Sequence, residues 1–130
     1  PSMLPPSVGK TIAVCWNKTA QSARAVGAAM PYLERADRIV LVSVTTHAKH
    51  GPGVGDVART LAWHDIEAEI VEVDPDGRSV GRILLDECVK ASADLMVMGG
   101  YSRNRWSEVI LGGVTRYVLE NAEVPIFMAH

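Results

Sequence analysis

Apolar and polar positions fall along the chain in blocks that predict strands alternating with helices. Most predicted strands are runs of consecutive apolar residues, typical of strands buried on both faces of a parallel sheet. The third alternates strictly between apolar and charged residues, which predicts one solvent-exposed face and a place near a sheet edge. The predicted strands are 11–16, 38–44, 66–70, 94–99 and 124–129.

Between these strands, apolar positions repeat at helical spacing, and small polar residues mark where the helices begin. The triplet 17–19 (Asn-Lys-Thr) predicts a cap for the first helix, and Pro31 is expected to loosen or stop its last turn. A second helix follows the loop 45–53, and Ser79 is expected to cap the third. The last helix is predicted over residues 112–121.

This order of elements predicts an open, parallel α/β sheet with helices on both faces and right-handed crossovers. Residues 1–9, with three prolines, are interpreted as an extended lead-in or a linker, and residues 10–130 as one domain. Because Pro125 cannot donate to a ladder, the fifth strand is expected at an edge or against a partner. The chain begins Pro-Ser-Met, so either Met3 is the true start or the sequence is a piece of a longer protein.

Composition narrows the class of protein. The 130 residues are 48% apolar and carry a formal net charge of −2, which predicts a globular domain with no nucleic-acid partner. Its longest apolar runs are far shorter than the roughly 20 residues that span a bilayer, so no membrane segment is predicted. Cys15 and Cys88 lack CxxC spacing and are interpreted as reduced structural thiols of a cytoplasmic protein.

Motifs for catalysis and metal binding are weak. His47 and His50 have no evident third ligand nearby, so no metal site is predicted. The chain has no Gly-x-Ser-x-Gly elbow, and no general base or nucleophile–base pair is evident near its glycine-rich loop. The sequence therefore predicts a protein that is not an enzyme.

Residues 94–123 contain the most informative pattern. An apolar strand ends in Gly99-Gly100, and a loop with arginine and serine leads to Gly112-Gly113 at a helix start. Glycine lets backbone N–H groups approach a phosphate closely, and a helix N-terminus adds unpaired donors and a positive dipole end. The pattern predicts an anion-binding cradle.

With the cradle after the fourth strand, the chain resembles the universal stress protein family over residues 10–130. The most specific segment is 98–116 (MGGYSRNRWSEVILGGVTR), followed by Val124-Pro125 in the closing strand. The ending LGGVTR is most similar to a bacterial branch in which such domains often occur in tandem. The resemblance implies a five-stranded sheet in the order 3-2-1-4-5, of the adenine nucleotide alpha-hydrolase-like, Rossmann-like type. Ligands in such sheets bind where the winding reverses, here between the first and fourth strands.

The resemblance further implies stress-response function through ATP, with Mg²⁺, bound at this reversal. The implied nucleotide-binding residues are Asn17, Val44, Gly99, Gly100, Ser102, Arg103, Gly112, Gly113, Val114 and Thr115. Three of them depart from the pattern of ATP-binding members. Asn17 replaces an aspartate, Ser102 the second glycine, and Gly113 the final hydroxyl residue.

Two functions stay open on these residues. The first is a nucleotide sensor whose glycine-rich site is degenerate. The second is a dimerisation or interaction module of the same family that binds no nucleotide. Family members commonly pair through the last strand, so Val124, Ile126 and Met128 are expected at a homodimer or tandem-domain junction, in their own core, or both.

Overall fold

A computed structural model describes residues 8–45, 53–100 and 113–129. Strands and helices alternate along these ranges, as the apolar pattern predicted. The elements are β1 (Thr11–Trp16), α1 (Ala20–Arg35), β2 (Arg38–Val44), α2 (Val54–Trp63), β3 (Glu69–Val73), α3 (Val80–Ala91), β4 (Leu95–Gly99), α4 (Gly113–Asn121) and β5 (Ile126–Ala129). No helix in these ranges is long and apolar enough to cross a membrane.

The strands form one parallel sheet in the order β3-β2-β1-β4-β5, which confirms the predicted fold. Val14 of β1 lies opposite Leu41 of β2 on one side and Val97 of β4 on the other. The winding reverses between β1 and β4. Their carboxyl ends therefore lie side by side, with a gap between the segments that leave them.

The core has two layers because successive residues of the central strand point to opposite faces. Ile12 and Val14 pack with residues of α1 and α2, among them Leu33 and Leu61. Ala13 and Cys15 pack on the other face with residues of α3 and α4. These four residues of β1 are all buried, which accounts for the continuous apolar run of the strand.

The predicted bounds of the third strand are wrong, although its place at an edge is confirmed. β3 begins at Glu69 and ends at Val73, three residues later than predicted at each end. Pairing with β2 sets this register, since Glu69 lies opposite Val40 and Val73 opposite Val44. Ile66 is buried before the strand begins, whereas Ile70 within it is exposed.

Pro31 does not stop α1, contrary to one of its two predicted effects, because the helix continues past it to Arg35. A proline within a helix removes one backbone donor and crowds the preceding turn. Leu33, two residues later, is buried in the core, and its carbonyl accepts the Ala36 N–H at 3.3 Å. Packing of the last turn thus outweighs the lost hydrogen bond. The predicted caps, in contrast, are observed at Thr19 and Ser79.

Asp94, which precedes β4, binds the segment that leads into β1 at the amino-terminal ends of the strands. Its carboxylate accepts the backbone N–H groups of Gly9, Lys10 and Thr11 at 3.0, 3.2 and 3.1 Å. Gly9 has a φ of +95°, a conformation that favours glycine. The prediction placed Asp94 within β4. Here it ties the entry of β1 to that strand.

The last strand begins at Ile126, two residues later than predicted, and lies at the sheet edge as Pro125 indicated. The Pro125 carbonyl accepts the Met96 N–H at 3.0 Å. Val124, Ile126 and Met128 are each partly buried against the α3–α4 side of the core. They therefore contribute to their own domain, and pairing through this strand stays a prediction.

Candidate functional site

A cavity of about 380 Å³ opens at the carboxyl ends of β1, β2 and β4. It lies at the point where the strand order reverses, the usual ligand position in open α/β sheets. Its described lining residues come from these strand ends, the β1–α1 turn, β3, and the first turns of α2, α3 and α4. They are Cys15, Trp16, Asn17, Lys18, Ser43, Val44, Thr45, Gly53, Val54, Gly55, Glu72, Val80, Leu84, Met98, Gly99, Gly100, Val114 and Thr115.

Many of the residues predicted from the sequence meet at this cavity. Those that line it are Asn17, Val44, Gly99, Gly100, Val114 and Thr115. Gly113 begins α4 beside them but is not one of the lining residues. Ser102, Arg103 and Gly112 lie outside the described residues, as do His47 and His50.

Asn17 follows β1 directly, and its side chain is held by two hydroxyl groups. Thr19 Oγ1 donates to Asn17 Oδ1 at 2.5 Å, and Ser22 Oγ donates to the same oxygen. Thr19 also caps α1 by accepting the Ser22 N–H at 3.2 Å. Ser22 is almost wholly buried, so these bonds satisfy a hydroxyl that water does not reach. The Asn17 side chain thus lines the cavity and also forms hydrogen bonds with residues at the start of α1.

Lys18 is the cation among the described lining residues, and its backbone is unusual. It lies between Asn17 and the helix cap with a φ of +63°, in the left-handed region that residues other than glycine rarely adopt. Such conformations cluster at functional turns and persist where neighbouring contacts fix them. The Asn17–Thr19–Ser22 hydrogen bonds supply those contacts. The left-handed turn therefore places Lys18 among the residues that line the cavity.

Gly99, the last residue of β4, is required by packing. A Cβ at this position would lie 2.6 Å from the Ser22 nitrogen and 2.7 Å from the Gln21 carbonyl carbon, both backbone atoms of α1. The first turn of α1 thus rests on the end of β4, and only a residue without a side chain fits between them. Gly113 differs, because nothing lies within 4 Å of a Cβ placed there.

One wall of the cavity is apolar. Val44, Val80, Leu84 and Met98 line it, together with the Cys15 thiol. Burial raises the pKa of Cys15 well above its usual range, and the nearby Cys88 adds to that effect. Burial likewise raises the pKa of Cys88 to about 11, with a smaller contribution from Glu87. Both cysteines are free and buried, as predicted, and their thiols are protonated near neutral pH.

The first turn of α4 borders the cavity on the same face of the sheet as α3. Thr115 lies in that turn and lines the cavity, although only 6% of its surface is exposed. No hydrogen bond joins its hydroxyl to another described residue. A helix start also carries unpaired backbone N–H groups and a positive dipole end. This wall therefore suits a polar or anionic group.

Sequence reasoning missed two charged lining residues, Lys18 and Glu72. Lys18 was assigned only to a helix cap, since its left-handed backbone is not evident from residue type. Glu72 fell beyond the predicted third strand. The apolar residues Val71 and Val73 on either side of Glu72 were the signal that could have extended the strand to it. Within the described ranges, no group of three or more histidine, cysteine, aspartate or glutamate side chains could hold a metal ion.

An open parallel sheet with a cavity at its winding reversal defines a class of α/β domain in which ligands bind at that reversal. The model of the universal stress protein family matches residues 9–130, and the chain belongs to this family. No curated protein matches the sequence significantly.

Solved structures with this fold include several universal stress proteins. UspA from Lactobacillus plantarum is 19% identical with a TM-score of 0.62, and the match covers 95% of this chain and 99% of that one. A universal stress protein from Archaeoglobus fulgidus DSM 4304 is 15% identical with a TM-score of 0.78, covering 95% of this chain and 46% of that one. A universal stress protein in complex with cAMP is 19% identical with a TM-score of 0.65, covering 93% of this chain and 96% of that one.

Proposed function

We propose that the chain binds an adenine nucleotide in the cavity between the ends of β1 and β4, and that binding serves a stress response. The observation that carries this proposal is the position of the cavity at the winding reversal. Six residues predicted from the family pattern line it, namely Asn17, Val44, Gly99, Gly100, Val114 and Thr115. The relative solved with cAMP supports the same ligand class.

The shape and chemistry of the cavity support this ligand class. Its volume of about 380 Å³ lies in the range of small-molecule sites, roughly 300–1,000 Å³. The wall of Val44, Val80 and Leu84 suits the flat, largely apolar base. The first turn of α4, with Thr115, suits a phosphate group. One molecule with an apolar end and an anionic end matches the two walls.

ATP with Mg²⁺ fits the residues only in part. The start of α4 and Lys18 suit phosphate oxygens, but the described residues offer no cluster of ligands for the metal. The Asn17 carbonyl oxygen is also engaged by Thr19 and Ser22, which leaves it unsuited to a metal ion. Nucleotide binding is therefore proposed without a protein-held metal.

The proposed role is binding rather than catalysis. Of the described lining residues none is histidine, and the Cys15 thiol has a raised pKa that disfavours the nucleophilic thiolate.

The domain division at residues 9 and 10 and a cytoplasmic location stay predictions.

The alternative function is a dimerisation or tandem-pairing module. It is favoured by β5, a sheet-edge strand whose four residues are each only partly buried. An edge strand presents unpaired backbone groups that a second domain can cover. Val124, Ile126 and Met128 are the residues proposed to border that partner. Nucleotide binding would use the cavity at the start of α4, and pairing would use β5. The two functions are therefore compatible.

Calorimetric titration with ATP and with cAMP tests the proposal. Wild-type protein is expected to bind at least one of them with micromolar affinity. Val114→Asp should abolish binding, because it places a carboxylate at the phosphate-facing helix start. Gly113→Ser should strengthen ATP binding by about tenfold, because it restores a hydroxyl donor where nothing crowds a Cβ.

Mass measurement by light scattering on the same samples tests the alternative. A dimer that persists in Val114→Asp would separate pairing from nucleotide binding. Absence of heat at millimolar ATP and cAMP, from folded and nucleotide-free wild-type protein, would reject the nucleotide proposal. Pairing would then stand as the working function if the dimer is observed.

A further inference from the structure

A second cavity, the α1–α2 cavity, lies between these two helices and has a volume of about 460 Å³. Trp16, at the end of β1, lines both this cavity and the one at the winding reversal, and no other described residue lines both. The volume is within the range of small-molecule sites, roughly 300–1,000 Å³. The α1–α2 cavity is therefore a candidate binding site separate from that of the nucleotide.

Small side chains on α1 leave this space open. Ala23 and Gly27 are four residues apart, on one face of the helix, and both line the cavity. Nothing lies within 4 Å of a Cβ placed on Gly27. Glycine within a helix lowers its stability relative to alanine, and no close contact requires glycine at this position. The space beside Gly27 can therefore hold part of a ligand.

The middle of the α1–α2 cavity is apolar and elongated. Val26 and Met30 line it from α1, and Val57 and Leu61 line it from α2. Its lining residues on α1 fall within 23–34, a length of about 16 Å at a rise of about 1.5 Å per residue. The cavity therefore suits an extended apolar chain.

One end of the cavity has a negative character. α1 and α2 pack on the same face of the sheet and run in the same direction, so both helices end on the same side of the domain. Unpaired carbonyl groups give each helix end a partial negative charge. Glu34 lies in the last turn of α1 and His64 is the C-cap of α2, and both line the cavity. The last turn of α2 has no basic residue, and Arg35 of α1 is not a lining residue.

Glu34 is the carboxylate that can accept a cation at this end. The other lining carboxylate, Asp56, already accepts the Gly53 N–H at 3.1 Å and pairs with Arg59 at 2.9 Å. Glu34 has no hydrogen bond or ion pair with another described residue. No lysine or arginine is among the described lining residues.

We propose that the α1–α2 cavity binds an amphipathic amine, with its apolar chain between the helices and its ammonium group beside Glu34. Burial of the chain removes apolar surface from water, whereas the ammonium group stays hydrated next to an exposed carboxylate. A carboxylate in place of the ammonium group would be repelled by Glu34 and by both helix ends.

Calorimetric titration with octylamine, octanol and octanoate tests this inference, because the three probes share one chain and differ in charge. Octylamine is protonated at neutral pH, as a lysine side chain is. Wild type is expected to bind octylamine about threefold more tightly than octanol, as an exposed ion pair allows, and octanoate most weakly. Gly27→Leu should abolish binding by filling the open space, and Ala23→Leu is a second variant with the same purpose. Circular dichroism checks that each variant is folded.

Glu34→Gln tests the charge without changing the size of the side chain. It should weaken octylamine by about threefold and leave octanol unchanged. Glu120→Gln is the matched control, because it makes the same change at an exposed residue of α4, on the other face of the sheet. Its affinity for octylamine should equal that of wild type.

Three results would overturn the inference. They are absence of octylamine binding by wild type at millimolar concentrations, unchanged binding in the folded cavity-filling variants, and equal affinities for the three probes. The first two would show that the cavity does not take the chain, and the third that the Glu34 end does not select a cation. Each leaves the nucleotide proposal intact, since ATP and cAMP are titrated separately.

Discussion

The amino-terminal ends of the parallel strands form one edge of the sheet, and their carboxyl ends form the opposite edge. The polar side chains at these two edges are used differently. At the amino-terminal edge, Asp94 binds three backbone N–H groups, and Arg38 pairs with Glu69 through two bonds of 2.5 and 3.0 Å. At the carboxyl edge, the Asn17 amide and the Thr115 hydroxyl border an open cavity. Side chains at the first edge find their partners within the protein. Those at the second keep hydrogen-bonding capacity for a ligand.

In this fold, the residues that stabilise the structure and the residues that border the cavity lie at opposite ends of the strands. Loop segments at the amino-terminal edge are short and tied to strands, so a change there should affect unfolding. Changes at the carboxyl edge should affect affinity. Gly99 is the exception, because it lies at the binding edge but is required by the packing of α1. The following changes test this separation, in order of expected effect.

Asp94→Ala should destabilise the fold by about 3 kcal/mol, because three backbone donors lose a charged acceptor. Chemical denaturation monitored by circular dichroism measures the change. Asp37→Ala is a matched control on the same edge, since its exposed side chain makes no hydrogen bond to another described residue. A loss below about 1 kcal/mol for Asp94→Ala, or an equal loss in the control, would contradict the role given to this carboxylate.

Gly99→Ala should cost about 2 kcal/mol, because the added methyl group meets backbone atoms of α1 that must shift. Gly27→Ala is the control, since no atom lies within 4 Å of a Cβ there. Alanine within that helix should be neutral or stabilising by up to about 1 kcal/mol. Equal effects of the two substitutions on the denaturation midpoint would show that α1 does not rest on β4 as described.

The Arg38–Glu69 pair should give a small pH dependence. Its hydrogen bonds with Arg38 lower the pKa of Glu69 from 4.5, with Coulomb attraction helping and desolvation opposing. A lowered folded-state pKa means that the stabilisation is present above pH 4.5 and is lost as the pH falls through the folded-state value. Both side chains are about half exposed, so the effect is small and salt-sensitive.

Glu69→Gln should therefore flatten the acid side of the stability profile, as measured by thermal unfolding between about pH 3 and pH 7, on both sides of the ordinary glutamate pKa. The Asp56–Arg59 pair on the surface of α2 offers the control. Asp56→Asn should leave the contribution of Glu69 unchanged. An identical acid profile for wild type and Glu69→Gln would show that the pair does not couple to folding.

The sequence predicted the central part of the fold because burial on both faces leaves an unambiguous pattern. The run 11–16 became β1 without change, and Ser79 capped α3 as expected. The third strand was misplaced, because at an edge the register follows pairing with β2 more than the apolar alternation. Pro31 was misjudged for a related reason, since the buried Leu33 holds the turn that follows it.

The candidate site was predicted through its topology. Once the strand order was inferred, Asn17 and Gly99 had to lie near each other, and both line the cavity. Two properties were beyond residue type alone. The direction of the Asn17 amide depends on hydroxyl groups of the next helix turn. The need for glycine at position 99 depends on how closely α1 approaches β4.

The protonated thiol in the cavity wall has a consequence for oxidative stress. Peroxides react with thiolates, and burial keeps Cys15 in the unreactive thiol form. Cys88, the other cysteine of the chain, is protected in the same way. An oxidising burst should therefore leave both thiols unmodified. The wall beside Cys15 should therefore keep its shape and polarity under conditions that inactivate cysteine-dependent enzymes.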